Sequence, residues 1–188
     1  MSNGVDDADD DAFARLITGR DLERHFKLED ALLEFSRLFR DETNDRAMVI
    51  VGMAFLDTQL EHVARNFLID DEKEVGTLLQ YDQPLGAYGN KFRAIYCLGL
   101  IGKTVRDDLR LVGKIRNRFA HDLYASFDDD AVRTWATSST WHRISYMQPP
   151  AGASARNLFN VGVNTLASHL GGIVSIARSE RRSIRRET

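Results

Sequence analysis

Three prolines, Pro84, Pro149 and Pro150, set the strongest limit on how these 188 residues can fold. A proline inside a helix removes a hydrogen bond and clashes with the preceding turn, so helices must end near these positions and can run freely elsewhere. Between the prolines, apolar residues recur every three or four positions, the spacing of a helix that buries one face. The sequence therefore predicts an all-α fold, a single-domain bundle of about six or seven helices.

Six helices are predicted individually, at about 28–40, 46–69, 72–80, 92–100, 105–121 and 156–179. The second is apolar on nearly all sides in its first half, which is typical of a central helix surrounded by neighbours. Three candidates for its N-cap precede it: Thr43, Asn44 and Asp45. Thr104 and Asp107 resemble a capping box that would open the fifth helix. Residues 139–147 alternate loosely between polar and apolar side chains, which is compatible with extended structure.

The two ends of the chain carry opposite charges, although the formal net charge is only −3. Aspartates crowd residues 1–12 and arginines crowd residues 180–188. Such tracts are typical of flexible tails, so we predict one helical domain at 13–179 between them. The basic tail also allows sequence-independent contact with nucleic acid phosphates, including RNA.

Composition favours a globular protein of the cytoplasm. Hydrophobic residues make up 43% of the chain and charged residues 28%, as in ordinary soluble domains. Cys97 is the sole cysteine, which excludes an intrachain disulfide. The acidic N-terminus lacks the basic-then-apolar order of a signal peptide, and the apolar run at 47–56 is too short to cross a membrane. We therefore expect no membrane association.

The long second helix carries Asp57, Glu61 and Arg65 at intervals of four, with His62 beside them. Carboxylates and a histidine can bind a metal ion, but a di-metal site in a bundle requires Glu-x-x-His pairs on two helices, which this sequence lacks. We interpret the three residues as an exposed ion-pair ladder. No glycine-rich phosphate loop and no nucleophile elbow occurs, so no metal and no cofactor are predicted.

The fifth helix carries basic residues at intervals of four, opposite its apolar arc. This basic stripe consists of Arg106, Arg110, Lys114 and Arg118. A short break at 99–103 precedes it, as in a helix-turn-helix, whose recognition helix would present such residues to DNA. The alternative is a solvated charged face, with Asp107 and Asp108 suited to the helix dipole in the first turn. The stripe is a weak nucleic-acid-binding candidate, and direct DNA binding is not expected.

The end of the same helix reads IRNRFAHD, at 115–122. On an ideal helix Arg116 and His121 point roughly 140° apart, because each residue turns about 100°. Both can act on one substrate only if the helix unwinds near Ala120 or a second subunit supplies one of them. The structural alternative is an ordinary polar end of a helix. In that case Arg118 and His121 interact favourably with the helix dipole. Asn117 bonds a neighbouring loop, and Phe119 packs in the core.

The segments MVIVGMAFLDTQLEHVARNFL (48–68) and PLGAYGNKFRAIYCLGLIGKTVRDDLRLVGKIRNRFAHD (84–122) resemble the mannitol operon repressor (MtlR) family. The matching positions are Pro84-Leu85-Gly86, Ile95-Tyr96-Cys97-Leu98-Gly99-Leu100-Ile101, Arg116 and His121-Asp122. The resemblance implies an all-α domain with a role in bacterial transcription control. It also implies a non-enzymatic protein that acts through a protein partner, in the transcription machinery or another regulator, because the family lacks a recognisable DNA-reading motif.

The segment RNRFAH also resembles the Arg-x4–6-His motif of HEPN domains. That resemblance implies an alternative function as a metal-independent RNase or nucleotide-binding module, in which the motifs of two subunits meet. His121 would act as general acid or base, Arg116 would stabilise the phosphorane charge, and Asn117 would orient the histidine. The separation of Arg116 from His121 and the apolar second helix both favour a homodimer.

Overall fold

The computed structural model of the chain describes the backbone of residues 19–144 and 149–187, and the side chains of 30–143 and 149–187. The predicted acidic tail at 1–12 lies outside these ranges. Within them the chain forms helices and no strands, which confirms the all-α prediction. The helices are α1 (Gly19–Asp41), α2 (Asp45–Phe67), α3 (Glu72–Leu79), α4 (Tyr88–Cys97), α5 (Lys103–His121), α6 (Asp130–Ser138), α7 (Trp141–Ile144) and α8 (Ala155–Ser179).

All six individually predicted helices are present, and α6 and α7 were missed. Helix α7 occupies part of the segment whose alternation is compatible with extended structure, and the rest of that segment, 145–147, lies outside the described residues. The N-cap of α2 is Asn44, whose Oδ1 accepts a hydrogen bond from the N–H of Ala47. The predicted capping box is wrong, because α5 begins at Lys103 after Gly102 and its N-cap makes no side-chain bond.

Helices α2 and α8 form the centre of the bundle and run parallel to each other. Arg156 at the start of α8 pairs with Asp45 at the start of α2, and Arg178 bonds Asn66 near both C-terminal ends. Between these points Gly52 permits close packing, since an added Cβ would lie 3.2 Å from Cγ1 of Val163 on α8 and 2.8 Å from Cε2 of Phe39 on α1. This arrangement confirms that the apolar second helix is an interior one.

Among the described residues, α2 is also the one helix long and apolar enough to cross a membrane by length and composition. Its buried side chains face neighbouring helices, chiefly α8, α5 and α4. An interior helix of a bundle meets the same length and composition criteria.

The chain after α8 folds back onto the C-terminal end of α2. The guanidinium of Arg181 donates hydrogen bonds to the carbonyls of Asn66 and Arg65, both at 3.1 Å, and the N–H of Arg182 donates to the carbonyl of Phe67 at 2.8 Å. These bonds satisfy carbonyls that have no partner within their own helix. The contacts cover the first residues of the range 180–188, where the sequence predicts a flexible tail.

Candidate functional site

Helix α5 carries both the basic stripe and the IRNRFAHD segment, and its apolar side anchors it in the core. The buried side chains of this face include Val105, Leu109, Val112, Ile115 and Phe119. The helix continues unbroken to His121, and the N–H of Asp122 still bonds the carbonyl of Arg118 at 3.0 Å. The helix therefore does not unwind near Ala120, and within one chain Arg116 and His121 stay on different faces.

The polar side chains of the segment make local contacts. Arg116 Nη1 donates to Oδ1 of its neighbour Asn117 at 3.2 Å, and both Asn117 and His121 are exposed. The expected bond from Asn117 to a neighbouring loop is absent from the part of the chain that the structure describes. Arg118 pairs with Asp122 at 2.9 Å. Of the three residues in the RNase hypothesis, one chain thus joins Arg116 to Asn117 by a hydrogen bond, while His121 follows Asn117 by one helical turn and lies on a different face from Arg116.

A firmly held loop follows this helix and presents two exposed apolar side chains. Leu123 is 77% exposed and Tyr124 is 87% exposed. The backbone beneath them is fixed, because Arg46 Nη2 donates to the carbonyls of Asp122 and Leu123 at 2.8 and 2.9 Å. The N–H of Tyr124 also donates to Asp122 Oδ1 at 2.9 Å. We name Leu123 and Tyr124 the exposed pair; sequence reasoning missed it, although the order Leu-Tyr directly after a helix end was a usable signal.

The basic stripe is present along α5, and each of its cations contacts another group of the same chain. Arg106 and Arg110 approach Asp107 Oδ1 at 2.8 and 3.6 Å, and the hydrogen bond from Arg106 lowers the pKa of the Asp107 carboxyl. Lys114 lies over the ring of Trp135, 5.7 Å from its centroid. Since Arg118 is paired with Asp122, each of the four cations has a partner within the chain, which weakens their attraction for phosphate.

The acidic residues of α2 form a network different from the predicted exposed ladder. Asp57, Glu61 and Arg65 are half-buried, and the buried ammonium of Lys91 from α4 lies 2.9 Å from Asp57 Oδ2 and 3.7 Å from Glu61 Oε2. Burial, and then the charge of Asp57, raise the pKa of Tyr88 well above its ordinary value. The predicted pair of Glu61 and Arg65 is present at 2.9 Å, but the ladder is not exposed, because α4 packs over this side of α2 and brings a lysine that the local spacing did not reveal.

No family model matches the sequence, and no curated protein is similar to it in sequence. Among solved structures, the fold is similar to a chain in the X-ray structure of the MtlR–HPr complex from Escherichia coli. The similarity has a TM-score of 0.57 with 18% identical residues, and it covers 78% of this chain and 98% of that chain. None of these comparisons supports the HEPN resemblance. The chain therefore shares an all-helical fold with that structure.

Proposed function

We propose that the protein is a non-enzymatic bacterial transcription regulator of the mannitol operon repressor type, which acts in the cytoplasm by binding a protein partner. The observation that carries the proposal is the fold similarity, which extends over 98% of a chain in the MtlR–HPr complex. The resemblance of residues 48–68 and 84–122 to the MtlR family supports it from the sequence side. The proposed partner is accordingly an HPr-type protein from the organism that encodes this chain. We also propose that the protein is a homodimer. Light scattering tests this, because a homodimer has twice the molar mass of one chain.

The exposed pair is the surface that we assign to this partner. Tyrosine is enriched among residues that dominate binding energy, because its large ring buries much area and its hydroxyl still finds a polar partner. The bonds from Arg46 hold the loop backbone in place, so little conformational entropy is lost when a partner covers it. Exposed Asn117 and His121, at the end of α5 just before the loop, supply polar groups for the rim of such a contact.

The protein is expected to leave single-stranded RNA intact in the presence of a chelator. Metal-free cleavage requires an acid–base group and a charge-stabilising group at one phosphate, and α5 holds His121 and Arg116 on different faces. The measurement is gel analysis of labelled RNA incubated with wild-type protein and with His121→Ala. Cleavage by the wild type that disappears in His121→Ala would show a nuclease site shared between subunits, whereas cleavage that survives in the variant would indicate a contaminant.

The protein is also expected to bind promoter DNA no more tightly than random DNA of the same length. Three of the four cations pair with carboxylates of their own chain and Lys114 lies over an indole ring, which weakens their attraction for DNA. Fluorescence anisotropy at physiological salt measures both affinities. A clear preference for promoter DNA that is lost in Arg110→Ala/Lys114→Ala would contradict the proposal and assign DNA reading to α5.

A further inference from the structure

A cavity of about 470 Å³ lies between the C-terminal ends of α2 and α8 and the start of α3. This volume falls within the range of small-molecule sites, roughly 300–1,000 Å³. Ile69, Val75 and Val174 give the cavity an aliphatic wall, and His62 and Arg178 lie among its polar lining residues. Arg46, which bonds the loop of the exposed pair, lies at the N-terminal end of α2, and the cavity lies at its C-terminal end. The 20 residues from Arg46 to Asn66 span roughly 30 Å, because each residue of a helix rises 1.5 Å. The cavity is therefore separate from the proposed partner surface.

Most charged groups around the cavity already have partners. Arg65 pairs with Glu61 and Glu72, while Arg181 pairs with Asp70 and bonds two carbonyls at the end of α2. The remaining acid, Asp71, accepts the N–H of Glu74 and caps α3. The negative charge of Asp71 repels an anion placed next to it. The positive N-terminal end of the α3 dipole partly compensates for that charge.

Two donors of the lining remain available. Arg178 uses only Nε, in a 3.2 Å bond to Asn66 Oδ1, and no carboxylate of the described residues pairs with its guanidinium. The ring of His62 makes no hydrogen bond within the described part of the chain. Burial lowers the pKa of His62, so at neutral pH the ring is uncharged and offers an N–H donor.

We propose that this cavity binds a small organic anion with an aliphatic body. The carboxylate or phosphate head contacts the guanidinium of Arg178 and the ring of His62, and the carbon chain packs on Ile69, Val75 and Val174. A guanidinium presents its donors in a fork that matches either head group. Partial burial strengthens this contact relative to the same contact in water. The aliphatic wall adds affinity in proportion to the apolar area that the chain of the ligand covers.

Isothermal titration calorimetry of the full chain at pH 7.5 and constant ionic strength tests this site. The probes are hexanoate and hexyl phosphate, which share the six-carbon body and differ in head group, together with acetate, which lacks the body, and hexanol, which lacks the charge. We expect saturable binding of hexanoate, hexyl phosphate or both, at least tenfold tighter than acetate or hexanol. The tighter of the two identifies the head group.

The variants connect the binding to the named residues. Arg178→Gln is expected to weaken binding at least tenfold, Arg178→Lys to restore part of the loss, and His62→Gln to weaken binding at least threefold. Arg116→Gln, a charge change on α5 outside the cavity, serves as the control and is expected to bind like the wild type. If Arg178→Gln does not fold, His62→Gln decides, because the ring of His62 has no hydrogen bond to the described residues that the substitution could remove. Absence of saturable binding, or equal binding by wild type and cavity variants, would overturn the proposal.

Discussion

Replacing Asp108 with alanine is expected to lower the free energy of unfolding by about 3–4 kcal/mol. Asp108 is buried on α5, and its Oδ2 accepts three hydrogen bonds, from Ser139 Oγ at 2.8 Å, from Thr140 N at 2.7 Å and from Trp141 N at 2.9 Å. Bonds to a charged acceptor are each worth about 1.5–3 kcal/mol, but two of the three are only part-buried, so water replaces part of what they lose and the expected total stays below their sum. The carboxylate thus attaches the start of α7 to α5.

Urea denaturation followed by circular dichroism measures this effect, and Asp107→Ala is the matched control. Asp107 is the neighbouring acid, but its carboxylate is half-exposed and pairs with Arg106 at the surface, so its loss is expected to cost less than about 1 kcal/mol. Asp108→Asn retains an acceptor oxygen and should fall between the two. Equal stabilities of the Asp107 and Asp108 alanine variants would show that the turn before α7 does not depend on this carboxylate.

Replacing Asp57 with alanine is expected to cost about 2–3 kcal/mol, because it leaves a buried ammonium poorly compensated. Lys91 is only 4% exposed, and its Nζ lies 3.0 and 2.9 Å from the two carboxylate oxygens of Asp57. Without Asp57, the remaining anion is Glu61 at 3.7 Å. The expected loss is below that of a fully buried pair because Asp57 itself is 31% exposed to water.

The double variant Asp57→Ala/Lys91→Met separates charge from packing. It removes the stranded ammonium and keeps most of the aliphatic stem, so it should regain most of the stability that Asp57→Ala loses. Glu72→Ala, which removes an 85% exposed partner of Arg65, is the surface control and should change stability by less than about 0.5 kcal/mol. A double variant as unstable as Asp57→Ala would locate the loss in packing instead of charge.

The long helices were predictable because their apolar periodicity reflects burial along one continuous segment. Helix α2 reads as interior from its own residues, and Asn44 was among the expected N-caps. Helix α7 has only four residues, and its position depends on a distant contact, because Asp108 bonds the N–H of Trp141, 33 positions later in the sequence. No local pattern carries that information, and helices of this length are unstable without tertiary support.

The candidate site was likewise predictable from the sequence only in part. The helical period placed the basic stripe and IRNRFAHD on one helix and separated Arg116 from His121, as the structure has them. The residues that these helices contact come from other parts of the chain. Lys91 of α4 pairs with Asp57 of α2, and Arg46 bonds the loop at Leu123, 77 positions away in the sequence. The cavity lined by His62 and Arg178 likewise forms only where α2 and α8 end together. Sequence spacing predicts faces of a helix, but not the partners that packing brings to them.

Calorimetric titration of the pure 188-residue chain with an HPr-type protein tests the central claim most directly. We predict saturable binding that Tyr124→Ala weakens at least tenfold, a loss of about 1.4 kcal/mol or more, without a change in melting temperature. Tyr81→Ala is the matched control, because Tyr81 is 95% exposed and lies apart in sequence, in the turn after α3. Its binding should equal that of the wild type. Absence of saturable binding up to about 100 µM, a concentration that reveals even weak complexes, would contradict the account.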